Sequence, residues 1–140
     1  MTSNPLTCEP TATVQAAALI MSEEDVGIVP VVEPETKRLL GVITDRDLCL
    51  DVVAAGKDPK EVYVANSLHG DPATCREDDD VDLCLSAMRT RQVHRIPIVD
   101  DDGVCVGIIS QKDLALHLNE SDKLHATVRD ISKSHRTQVV

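Results

Sequence analysis

A glycine, two apolar residues, a hydroxyl residue, two variable residues and an aspartate occur in that order twice, as GVITDRD over 41–47 and GIISQKD over 107–113. These residue types suit a nucleoside phosphate. Glycine permits close backbone approach, the apolar pair buries a strand, and the hydroxyl of Thr44 or Ser110 stands where strand becomes helix. Asp47 and Asp113, three residues on, share the helical face of that hydroxyl. A helix N-terminus with free N–H groups favours phosphate, and a carboxylate can accept both hydroxyls of a ribose. Arg46 and Lys112 place a positive charge between hydroxyl and carboxylate. The same spacing also satisfies a capping box, with Asp in place of the preferred Glu, and a cap needs no ligand. The residues alone leave both readings open.

The motif ends two degenerate copies of one longer unit, spanning 7–52 and 74–119. With an offset of 67, Thr7 and Cys8 fall on Thr74 and Cys75, Val14 on Val81, Met21 on Met88 and Pro30 on Pro97. One residue is then lost from a turn, and Gly41, Asp47 and Leu48 fall on Gly107, Asp113 and Leu114. The chain divides accordingly into a first unit over 7–55, a connector over 56–73, a second unit over 74–120 and a partly frayed tail over 121–140. A unit of about 45 residues is near the lower limit for building its own core, so the two are expected to pack as one module.

Each copy reads as strand, helix, strand, turn, strand, helix. After a short extended Thr-Cys start, 14–21 and 81–88 carry apolar residues at helical spacing, and acidic Asp78, Asp79 and Asp80 favour the second helix's start. The runs 28–32 and 96–99 are β-branched, and Pro30 and Pro97 within them predict edge strands. Asp102-Gly103 signals a hairpin before a strand over 104–109, matching the strand over 39–43 in the first copy. Helices follow over 45–55, stopped by Gly56, and over 111–118, stopped near Asn119. A short helix is expected at 61–68, and the tail segment TVRDIS resembles the VYVANSL of that connector.

Composition narrows the chemistry. A net charge of −10 opposes nucleic acid and anionic membrane over most of the surface, so any anionic ligand needs local basic groups. No stretch has the length of a membrane span and the N-terminus has no signal-peptide pattern, which predicts a cytoplasmic protein. Tyr63 is the only aromatic residue, which excludes stacking platforms. The five cysteines contain no C-x-x-C pair and read as buried free thiols, with Cys8 and Cys75 at equivalent positions. The acidic runs at 77–80 and 100–102 lack EF-hand spacing, and His69, His117, His125 and His135 show no metal-ligand pairing, so no metal site is expected. No catalytic constellation can be assembled from local spacing.

The duplicated units, with GVITDRDL and VHRIPIVD, resemble a tandem of cystathionine-β-synthase (CBS) domains over about residues 7–120. The order TDRDL, AAGKDP, second unit is similar to small stand-alone bacterial CBS-pair proteins. The resemblance implies an α/β (α+β) fold of two pseudo-symmetric β-α-β-β-α units with clefts for adenosine ligands. Those ligands would be AMP, ADP or ATP, with S-adenosylmethionine or NAD as further members of the class, and no obligatory cofactor. It assigns phosphate and ribose binding to Thr44 with Asp47 and to Ser110 with Asp113. It also implies a non-enzymatic regulatory role, a homodimer and a partner protein of unknown identity. The alternative is an interaction module whose clefts are vestigial. The copies differ in one place that bears on this: His94 and Arg95 precede Pro97 where Gly27 and Ile28 precede Pro30, so the two clefts are expected to be chemically unequal.

Overall fold

The computed structural model describes residues 2–3, 5–120 and 127–129. Its packing forms two compact units, one from 6–72 and the other from the described residues of 73–129 together with Thr2, Ser3 and Pro5. Strand β1 (Thr2–Ser3) lies antiparallel on a strand of the second unit, with Thr2 opposite Ile108, a pairing that nothing in the repeat pattern predicts.

In the unit of 6–72, helix α1 (Val14–Glu24) starts where the Thr13 hydroxyl accepts the Ala16 N–H at 3.2 Å. It buries Val14, Ala17 and Met21, one stripe at helical spacing, and stops at Asp25, whose left-handed backbone turns its N–H onto the Met21 carbonyl. Strands β2 (Ile28–Val32) and β3 (Leu39–Thr44) form a hairpin. The next helix is not the single α-helix expected over 45–55. A short α2 (Asp45–Leu48) passes directly into a π-helical turn (Cys49–Val53), which buries Val52. The connector's expected helix is a 3-10 turn, Val64–Ser67, with Val64 and Ser67 buried. The core joins Val14, Ala17, Val29, Val31, Ile43, Val52 and Val64.

The second unit repeats the plan with β4 (Cys75–Arg76), α3 (Val81–Arg91), β5 (Arg95–Val99), β6 (Cys105–Ser110) and α4 (Gln111–Glu120). Both hairpins carry an irregularity just before the turn, at Val31/Val32 and at Ile98/Val99. The turns then span 33–38 and 100–104, which accounts for the one-residue loss between copies. The shorter one is tied by Asp100, whose carboxylate accepts the N–H groups of Asp102 and Val104, both at 2.9 Å. In the tail, Thr127 bridges Asp80 as Tyr63 bridges Thr13, and Val128 is as fully buried as Val64. The rest of the TVRDIS segment lies outside the described residues.

Pro97 does not mark an edge strand, whereas Pro30 lies on β2 of a two-stranded sheet, whose outer side carries only a one-residue bridge. β5 lies between β6 and β4 in its sheet, and β2 has β3 on one side and Cys8 on the other. Proline is tolerated because the neighbouring strand is so short. Cys8 donates to the Pro30 carbonyl and accepts from Val32, so the place where an N–H at Pro30 would find an acceptor lies beyond the bridge. β4 likewise begins at Cys75, opposite Ile98, one residue past Pro97.

Core and surface positions make different predictions. Ile98, 0% exposed, should cost about 2–5 kcal/mol on truncation to Ala. Leu83→Ala on α3, where the side chain is 59% exposed, should stay within about 0.5 kcal/mol. Urea unfolding followed by circular dichroism measures both.

Candidate functional site

Each strand-to-helix junction is closed by a reciprocal pair of hydrogen bonds. Thr44 Oγ1 accepts the Asp47 N–H at 3.2 Å, and Asp47 Oδ2 accepts the Thr44 N–H at 2.8 Å. In the second unit Ser110 Oγ accepts the Asp113 N–H at 3.1 Å and Asp113 Oδ2 accepts the Ser110 N–H at 3.4 Å. These are capping boxes with aspartate at the third helical position. They satisfy backbone donors that a buried helix start would otherwise leave orphaned. Their surroundings differ: Ser110 and Asp113 are 8% and 7% exposed, while Thr44 and Asp47 are only half-buried.

One further bond joins each junction to the start of its hairpin, from the Asp45 N–H to the Gly27 carbonyl at 2.9 Å and from the Gln111 N–H to the His94 carbonyl at 2.7 Å. Here the copies part. A Cβ on Gly27 would sit 2.8 Å from Asp45 Oδ2, so the first copy fills this place with a carboxylate lying over a bare backbone. In the second, His94 Nδ1 and Gln111 Oε1 lie 2.9 Å apart, and an imidazole–amide pair takes the same place.

The next residue carries the larger difference. Ile28, opposite Thr44, is a buried apolar side chain. Its counterpart Arg95 lies opposite Ser110 across β5 and β6, and directly opposed residues project to the same face of a hairpin. Arg95 Nη1 is buried and, among the described residues, has no hydrogen-bond partner. The second unit thus brings Arg95, Ser110 and Asp113 to one end of its hairpin, with His94 beside them on Gln111. Thr44, Arg46 and Asp47 belong to the other unit. Arg46 and Lys112 point to solvent.

Two features escape local spacing. His69, in the connector, has its Nε2 2.5 Å from Asp51 Oδ2 on the π-helical turn, 18 residues away in sequence. Together with Asp47 they bring three atoms able to ligate an ion within 4.8 Å of one another, a grouping that spacing along the chain does not display. Cys49, on the same turn, is exposed rather than buried. Buried Cys8 and Cys75 and half-buried Cys105 are poor nucleophiles. Burial pushes Cys8 and Cys105 up to about 11, and Cys75, whose Sγ lies 2.8 Å from that of Cys84, is also raised, by that hydrogen bond and by burial. Among the described residues no helix is long and apolar enough to cross a membrane.

A family model described as the CBS domain matches residues 1–53 and 64–120. The chain belongs to the CBS domain family. The CBS domain-containing protein YhcV of Bacillus subtilis is 34% identical over 136 residues, covering 94% of this chain and 91% of YhcV. The uncharacterized protein MK0525 of Methanopyrus kandleri is 33% identical over 134 residues, 96% of this chain but 66% of that protein. Among solved structures, Hypoxic Response Protein I with two coordinated zinc ions superposes with a TM-score of 0.75 and 29% identity, over 82% of this chain and 92% of that one. The CBS domain of the bacterial CNNM/CorC family Mg2+ transporter, in complex with ATP, gives 0.69 and 27%, over 83% and 80%. The mixed helix and strand fold expected of tandem CBS units is the one observed.

The junctions and the His69–Asp51 pair each make a prediction. Thr44→Ala and Ser110→Ala should each lower unfolding free energy by about 0.5–2 kcal/mol, the cost of losing a cap, in equilibrium denaturation. Asp51 raises the pKa of His69 above its ordinary 6.5, through the hydrogen bond first and its charge second. The stabilisation from this pair is therefore fully present below 6.5 and fades as pH rises through the raised value. Proton NMR titration should show His69 above its ordinary value, and Asp51→Asn should bring it back down.

Proposed function

We propose that the chain is a non-enzymatic regulatory module that binds an adenosine ligand carrying phosphate, of the AMP, ADP and ATP class, with Arg95 as its principal anion partner. The observation that carries this reading is the buried Arg95 Nη1, which has no hydrogen-bond partner among the described residues. A buried charged donor left unsatisfied costs more than the roughly 1–3 kcal/mol of a neutral one, and a phosphate oxygen would remove that cost through a charge-assisted bond. In this reading Ser110 adds a hydroxyl beside the phosphate, Asp113 accepts ribose hydroxyls and His94 borders the site. The ATP complex of a CBS domain 27% identical to this chain supports the ligand class.

The first copy, with Ile28 in place of Arg95 and Asp45 over Gly27, would hold Thr44, Arg46 and Asp47 as a weaker site or as a cap alone. One strong site per chain is therefore expected. Regulation follows only if the ligand binds two conformations with different affinity, which a partner protein then reads. The family resemblance and the outward-facing Leu50 and Leu116, at corresponding positions of the two copies, support a homodimer.

A second reading has its own observation. Both hydroxyl–aspartate pairs are already satisfied as caps, as a pure interaction module with vestigial clefts would require.

A thermal-shift and calorimetric panel of AMP, ADP, ATP, NAD and S-adenosylmethionine separates the two. The nucleotide reading predicts a rise in Tm with the phosphate-bearing ligands and less with S-adenosylmethionine, which has no phosphate for Arg95. Arg95→Met should weaken nucleotide binding by about 10- to 150-fold, the equivalent of a 1.5–3 kcal/mol charged hydrogen bond, without destabilising the ligand-free protein. No stabilisation by any of the five would leave the interaction module standing.

A further inference from the structure

We propose that Asp47, Asp51 and His69 form a binding site for a divalent first-row transition-metal ion, with zinc as the reference case. The proposal does not depend on nucleotide binding. Three ligand atoms from two carboxylates and an imidazole lie within 4.8 Å of one another.

The fold brings them together by identifiable means. Asp47 and Asp51 are one turn apart on the run from α2 into the π-helical turn. His69 arrives from the connector, held by its neighbour Leu68, which packs against Gly41. A Cβ at Gly41 would lie 3.2 Å from Leu68 Cδ2, so the glycine admits the leucine that delivers the histidine.

The donor set selects the ion. An imidazole nitrogen with two carboxylate oxygens suits zinc and its first-row neighbours, whereas magnesium and calcium prefer oxygen alone. Among the described residues no lysine or arginine neutralises Asp47 or Asp51. A divalent cation would balance both charges. Asp47 can bind it while keeping its bond to the Thr44 N–H, since a carboxylate accepts several bonds.

The geometry requires one adjustment. Ligands about 2.0–2.1 Å from a tetrahedral zinc stand about 3.3 Å apart. His69 Nε2 and Asp51 Oδ2, now at 2.5 Å, must therefore part as the ion enters. His69 is free to move by that amount, its side chain being 60% exposed. Three protein ligands leave a coordination position for water or for a further ligand atom.

Calorimetric titration of zinc into the chelator-treated, full-length protein tests the site. One ion per chain should bind, and His69→Gln and Asp51→Asn should each weaken binding at least tenfold, with circular dichroism confirming that both variants are folded. Cobalt in place of zinc should give the weak visible bands of nitrogen and oxygen ligands and not the intense near-ultraviolet absorption of thiolate ligation. In the wild-type protein, substoichiometric cobalt should broaden the His69 ring resonances before those of the other four histidines, a readout that needs no variant. Absence of binding, wild-type affinity in both variants, thiolate absorption, or earlier broadening of another histidine would each overturn the proposal.

Discussion

The junction where the last strand of each hairpin turns into a helix organises the rest of the unit. It is closed by two side-chain bonds and one backbone bond back to the head of the hairpin. Thr44 with Asp47, and Ser110 with Asp113, supply the first two. The Gly27 and His94 carbonyls receive the third. Without these bonds a chain leaving a half-buried strand would leave helix-terminal N–H groups unpaired at the edge of the core. The cap therefore explains why a hydroxyl and an aspartate stand three residues apart, whatever else they do.

Function is then a matter of what drift has put around an otherwise shared frame. In the first copy the frame is dressed with groups that need nothing further: Ile28 lies in the core and the Asp45 carboxylate covers Gly27. The second copy replaces the isoleucine with an arginine and leaves one of its nitrogens buried and, among the described residues, unpaired. A folded chain gains nothing from such a group by itself, because desolvating a charge without a partner is unfavourable. The inequality of the copies, rather than their likeness, points to a ligand. Membership of the CBS family fixes the frame, and the nucleotide reading rests on Arg95.

Much of this was legible from residue types and spacing because it is local. Helical stripes such as Val81, Cys84, Leu85 and Met88 and the Asp-Gly turn each declare themselves within a dozen or so residues, and the repeat shows as the same local patterns met again 67 residues on. What the sequence concealed is non-local. Pro97 mimics an edge-strand signal because a two-residue neighbouring strand leaves its missing donor unopposed. β1 finds its partner more than a hundred residues away, at Gly107 and Ile108. His69 reaches Asp51 from a connector whose Leu68 lies against Gly41, 27 residues earlier in the chain. Of the site, the cap and the odd basic pair His94-Arg95 could be read directly; which of the two carried an unsatisfied charge depended on burial, which spacing does not report.

The most direct test of the central claim observes the Arg95 guanidinium itself. Arginine-selective nitrogen-15 NMR of the side chains, recorded as AMP is titrated into the protein, follows it without a mutation. The account predicts that the Arg95 signals shift with saturation of the site and that their rotation slows as the buried Nη1 gains a phosphate oxygen. If AMP, ADP and ATP all leave the Arg95 signals unmoved at concentrations that saturate binding elsewhere, or bind nowhere at all, Arg95 is not the anion partner and the functional reading built on it is wrong.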